Sequence, residues 1–93
     1  MNKALKILLI EDDPYFRADI ALKLKAYGQV VQAGNFANAQ SAIQEDRYDL
    51  ALIDLNLQGE NGGLDLIREC LANDINPVVL TGNNDPLMIA KAY

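Results

Sequence analysis

Four oxygen-bearing side chains stand directly after short apolar runs and could do chemistry together. Glu11 and Asp12 follow Ile7-Leu8-Leu9-Ile10, Asp54 follows Leu50-Ala51-Leu52-Ile53, and Thr81 follows Val78-Val79-Leu80. Carboxylates gathered at one point repel, and without a cation at least one of them has its pKa raised. A hard divalent ion such as Mg²⁺ relieves that repulsion, since it takes a few carboxylates, a backbone carbonyl and several retained waters. A carboxylate beside such an ion can attack phosphorus and form an aspartyl phosphate. A hydroxyl such as that of Thr81 could then hydrogen-bond a phosphoryl oxygen while the metal neutralises the others.

The composition removes most other chemistries. The chain has 93 residues, no histidine and a single cysteine, Cys70. Internal disulfides, cysteine-built zinc sites, His-dependent triads and His-ligated metals are therefore excluded. Thirteen acidic and eight basic residues give a formal charge of −5, which argues against direct nucleic-acid binding or attachment to an anionic membrane by bulk charge. With 51% hydrophobic and 23% charged residues the chain reads as one globular domain, 1–93. No apolar run approaches the roughly 20 residues that span a bilayer, and the N-terminus is too weakly apolar for a signal peptide. A cytoplasmic protein is expected.

The elements that must position these side chains alternate in type. Apolar runs at Ile7–Ile10, Val30–Ala33, Asp49–Ile53 and Val78–Leu80 predict strands, the first and third buried on both faces. Helices are predicted between them. The first starts at Asp13-Pro14, a capping carboxylate followed by proline, carries Phe16, Ile20, Leu24 and Tyr27, and stops at Gly28. The second spans 35–46 with Phe36, Ala39, Ala42 and Ile43. The third follows a loop over 56–63 and carries Leu64, Leu66, Ile67 and Leu71. A fourth begins at Asp85-Pro86. Strict alternation of this kind predicts an α/β fold, a parallel sheet with helices on both faces. Function in such sheets gathers beyond the carboxyl ends of the strands. If the first and third strands are neighbours, Glu11, Asp12 and Asp54 meet in one pocket.

Taken singly, each residue has a plainer reading. Asp13 and Asp85 are most simply helix caps. Glu11 and Asp12 could be solvated loop acids, and Thr81 a strand-end hydroxyl satisfied by backbone. Asp54 resists such a reading, because an acid placed straight after a buried strand pays desolvation unless paired, metal-bound or at an open mouth. Joint placement is what carries weight.

Ile7–Pro14 (ILLIEDDP), Asp49–Leu57 (DLALIDLNL) and Pro77–Gly82 (PVVLTG), in this order and spacing, resemble the receiver domain of two-component response regulators. The resemblance implies a flavodoxin-like doubly wound sheet of order 2-1-3-4-5. It implies that Asp54 is the phosphoacceptor, supplied by a sensor histidine kinase or a phosphotransfer protein, and that Mg²⁺ is the cofactor. Asp12 and Asp54 would ligate the metal directly, Glu11 through water and Asn56 through its backbone carbonyl. Thr81 would be the switch hydroxyl, and the domain a signalling acceptor rather than a turnover enzyme.

The chain departs from the family in two places. The segment Gln58-Gly59-Glu60-Asn61-Gly62-Gly63 lacks the proline common after the acceptor and is one residue longer than the usual form. The fifth strand and fifth helix, with the phosphate-contacting lysine and the aromatic switch partner, are not in the sequence; neither Lys91 nor Tyr93 stands where they would. Strand four is then expected to be an open edge, so that homodimerisation through that edge or the exposed helical face is one expectation. A receiver-like interaction module that does not switch is the alternative function. A remoter one is a Mg²⁺-dependent phosphatase with an aspartate nucleophile, which Asp54-Leu55-Asn56 resembles only distantly.

Overall fold

The computed structural model describes residues 4–54 and 62–80. Four parallel strands lie in the order β2-β1-β3-β4. They are β1 (Leu5–Ile10), β2 (Gly28–Ala33), β3 (Leu50–Asp54) and β4 (Asn76–Leu80). The helices between them are α1 (Pro14–Leu24), α2 (Phe36–Glu45) and α3 (Gly62–Ala72), with a 3₁₀ turn over Lys25–Tyr27. The order expected for β1 to β4 is the one observed.

The two apolar runs occupy the centre of the sheet. Ile7 to Ile10 are at most 1% exposed and Leu50 to Ile53 at most 3%. Side chains alternate across a strand, so these eight residues divide between two cores. Leu8, Ile10, Ala51 and Ile53 pack with Ala39 and Ile43 of α2 and with Leu66 and Cys70 of α3. Ile7, Leu9, Leu50 and Leu52 pack with Ile20, Ala21 and Leu24 of α1 and with Leu80. Each fully buried leucine or isoleucine contributes about 1.5–3 kcal/mol from leaving water, which fixes the register of the central pair.

Several local expectations are refined. The strands start earlier than their apolar runs: β1 at Leu5, β2 at Gly28 and β4 at Asn76, because pairing with a neighbour recruits flanking residues (Leu5 with Gly28, Leu50 with Asn76). Gly28 stops the helical stretch, as read from the sequence, by capping the 3₁₀ turn, and it is also the first residue of β2. Its φ of 156° and ψ of −156° suit glycine alone, and a Cβ there would run into the Leu5 carbonyl. Tyr27 belongs to the 3₁₀ turn, and Phe16 is 38% exposed, so Ile20, Ala21 and Leu24 form the buried face of α1. Asp49 precedes β3 instead of starting it: its carboxylate accepts from the Lys6 amide at 2.7 Å while its own amide donates to Lys6 O at 2.8 Å. α3 begins at Gly62, inside the predicted loop, with Gly62 and Gly63 both buried at its start. It buries Leu66 and Cys70, and leaves Leu64 and Leu71 at 50% and 62% exposure.

α3 closes with paired bonds, Ile75 N to Cys70 O at 2.8 Å and Asp74 N to Leu71 O at 3.4 Å. Asp74 takes the left-handed conformation between them, at φ 59°, and Ile75 is buried. Among the described residues no helix is long and apolar enough to cross a membrane. The segments holding Asn56, Thr81, Asp85-Pro86, Lys91 and Tyr93 lie outside the described residues.

Candidate functional site

The register of the two central strands builds the site. Ile10 of β1 stands beside Ile53 of β3, and one residue further along each strand come Glu11 and Asp54. Chain direction therefore delivers two acids to the same end of the sheet, with Asp12 next to them. The three side chains offer carboxylate oxygens that all lie within 4.8 Å of one another. Glu11 is buried at 4% exposure, while Asp12 and Asp54 are half-buried. Sequence reasoning expected these three to meet, and they do.

Glu11 is held from several directions. Its amide donates to Ala33 O at 3.1 Å, which continues the β1–β2 ladder by one step. Its Oε1 accepts from the Asp13 amide at 3.2 Å. Its carbonyl accepts from Arg17 Nη1 at 2.8 Å. The carboxyl is also hydrogen-bonded to Asp54.

Burial pushes the Glu11 carboxyl up to about 7, and the hydrogen bond to Asp54 and the charges of Asp54 and Asp12 push the same way. The Asp13 amide opposes them. Near neutral pH Glu11 thus retains part of a proton, which a divalent cation would replace. All donors are carboxylate oxygens, which selects a hard ion such as Mg²⁺ over zinc or copper. Two adjacent half-buried carboxylates and a third behind them suit an ion that keeps several waters. The residues present fit the metal.

Asp13 does different work. Its Oδ1 accepts from the amides of Tyr15 at 2.9 Å and Phe16 at 3.1 Å, capping α1 ahead of Pro14. This is the cap read from the sequence. Arg17 was not anticipated. The available signal was slight: it is the sole basic residue between Lys6 and Lys23 and lies one turn into the helix that follows the acidic run.

A family model described as the response regulator receiver domain matches residues 7–93. The two-component response regulator PhoP of Pseudomonas aeruginosa is 42% identical over 89 residues, covering 95% of this chain and 36% of that protein. The chain spans between 22% and 38% of the length of the curated relatives it matches. A response regulator receiver protein from Pseudomonas putida superposes with a TM-score of 0.74 at 25% identity, over 99% of this chain and 79% of the other. A Burkholderia pseudomallei response regulator, solved with a phosphorylated aspartic acid, a calcium ion and citrate, gives 0.73 at 28% identity over 95% of this chain and 54% of its own.

Proposed function

The chain belongs to the response regulator receiver domain family, and from that premise we propose that Asp54 accepts a phosphoryl group in a Mg²⁺-dependent phosphorelay. The observation that carries this reading is the gathering of Glu11, Asp12 and Asp54 within 4.8 Å at register-matched ends of β1 and β3. The phosphorylated aspartate and calcium ion in the Burkholderia pseudomallei relative support the same chemistry here.

In this reading Asp12 and Asp54 would hold Mg²⁺ directly, Glu11 would hold it through water, and the Asn56 carbonyl would complete the protein ligands. The bound ion supplies charge neutralisation for the phosphoryl oxygens. An Asp54 carboxylate oxygen attacks phosphorus, a P–O bond forms, and the bond from phosphorus to the donor histidine nitrogen of a sensor kinase or phosphotransfer protein breaks. The imidazole leaves with the electron pair and takes up a proton. Glu11, the most buried acid, keeps negative charge near the metal without competing as nucleophile. Thr81 is assigned the switch hydroxyl, whose bond to the attached phosphoryl group favours one arrangement of the surface around β4 over another.

The test is incubation with acetyl phosphate and Mg²⁺. One hydroxylamine-labile phosphoryl group is expected per chain, located at Asp54 by mass spectrometry and absent from Asp54→Asn. Incorporation at another residue, or none in a protein that binds Mg²⁺, would overturn the assignment.

A further inference from the structure

We infer that Arg17 is a positioning residue for the acidic cluster, and that Gly34 is bare so that the Arg17 guanidinium can reach its place. The inference deepens the Mg²⁺-dependent acceptor reading and rests on it.

Glu11 lies just past the last paired residue of β1, where the chain leaves the sheet and turns toward α1. Its amide still finds a sheet partner in Ala33 O. Its carbonyl belongs to the peptide plane that joins Glu11 to Asp12, and this plane sets the direction in which the Asp12 side chain departs. Arg17 reaches back from α1 and donates Nη1 to that carbonyl at 2.8 Å. A bond from an ionised donor is roughly twice as strong as a neutral one. The plane between two of the three acids is thereby fixed by a side chain that ligates nothing.

The guanidinium can lie there only because position 34 has no side chain. A Cβ on Gly34 would stand 2.5 Å from Arg17 Nη1 and 3.2 Å from its Cζ. Those atoms are the far end of a flexible side chain rather than backbone. Gly34→Ala should therefore fold and simply displace the guanidinium. Ala33 and Gly34, at the strand end that carries no chemistry of its own, thus serve Glu11 in succession, one through its carbonyl and the other by leaving room.

The experiment compares Arg17→Met, Arg17→Lys, Gly34→Ala and the Arg17→Met/Gly34→Ala double variant in the intact protein. Three quantities are read: Mg²⁺ affinity by calorimetric titration, the backbone amide shifts of residues 11–13 by NMR without metal, and Tm. Arg17→Met and Gly34→Ala should each weaken Mg²⁺ binding by roughly 10-fold, the lower end of what supporting residues around metal ligands contribute. Both should move the amides of Asp12 and Asp13. The double variant should be no worse than either single one, because both remove the same bond. Arg17→Lys, which keeps a charged donor, should recover part of the affinity.

A folded Arg17→Met or Gly34→Ala protein that binds Mg²⁺ as the parent does, with unmoved amides, overturns the inference whatever its Tm. Fully additive effects overturn it as well, since the two residues would then act separately. A parent protein that takes up no Mg²⁺ removes the metal reading alone, and the amide shifts still decide whether Arg17 sets the loop.

Discussion

The two ends of the sheet treat their charges in opposite ways. At the amino end acids meet partners: Lys6 Nζ pairs with Asp46, the Lys6 amide donates to Asp49, and the same ammonium lies 5.4 Å from the centre of the Tyr48 ring. Hydrogen bonding from Lys6 holds the Asp46 carboxyl below its usual range. At the carboxyl end three acids crowd together and burial drives Glu11 up to about 7. The one guanidinium described next to Glu11 bonds a carbonyl there, not a carboxylate. Folding alone would favour the first arrangement at both ends. The second costs stability, a cost that the proposed metal site would explain.

The strongest way to break this contrast is to remove a ligand. Asp12→Asn should lower Mg²⁺ affinity on the order of 100-fold, at or above the upper end for supporting residues, and calorimetric titration would show it. The same change relieves crowding, so the metal-free variant should be no less stable than the parent. At the amino end Asp46→Asn should leave Mg²⁺ affinity unchanged. Equal effects of the two substitutions on metal binding would mean that the ends do not differ in role.

Gly28→Ala should act the other way round. A Cβ at Gly28 meets the Leu5 carbonyl, which is backbone and cannot swing aside. A loss of roughly 2–4 kcal/mol is expected in urea denaturation, in the range of overpacked or strained sites. Mg²⁺ affinity of the folded protein should stay within about twofold, since positions that share no partners act independently.

Gly28 also shows where the sequence stops being legible. A glycine after an apolar helical stripe reads as a helix terminator, and nothing local reveals that Leu5, far earlier in the chain, lies against it. The central strands were readable because burial on both faces leaves an unbroken apolar run, as at Ile7–Ile10. Asp54 was readable because an acid interrupts such a run. Asp13 was readable because a cap and its proline are neighbours in sequence. Arg17 and Gly34 were not, since their meeting depends on how β2 lies beside β1. The exposure of Leu64 and Leu71 was hidden for a similar reason: α3 turns Leu66 and Cys70 inward, and a mostly apolar helix does not announce which stripe will be covered.

A titration sharpens the comparison further. Glu11 has a folded pKa of about 7 against an ordinary value of 4.5, so the folded protein binds the extra proton across that interval. Stability then falls as pH rises from about 4.5 through about 7, since the folded state gives up a proton that the unfolded state has already lost. Metal-free protein should therefore unfold at lower denaturant at pH 8 than at pH 5.5. Saturating Mg²⁺ should narrow that gap by replacing the proton, and Glu11→Gln should flatten the profile. An unchanged slope in Glu11→Gln would assign the pH dependence to other groups.

The smallest effect concerns two acids that are neighbours in sequence. Asp13 sits beside Asp12 yet spends its carboxylate on the amides of Tyr15 and Phe16. Asp13→Ala should cost about 1 kcal/mol of folding free energy, the usual worth of a helix N-cap. Asp13→Ser, which can still accept from those amides, should restore most of it. If Asp13 only caps, both variants bind Mg²⁺ within about twofold of the parent, a difference that loss of one screened charge can account for. A tenfold loss in both variants would place Asp13 among the metal's partners. The acidic cluster would then extend into the first turn of α1, and the division of labour between neighbouring acids would fail.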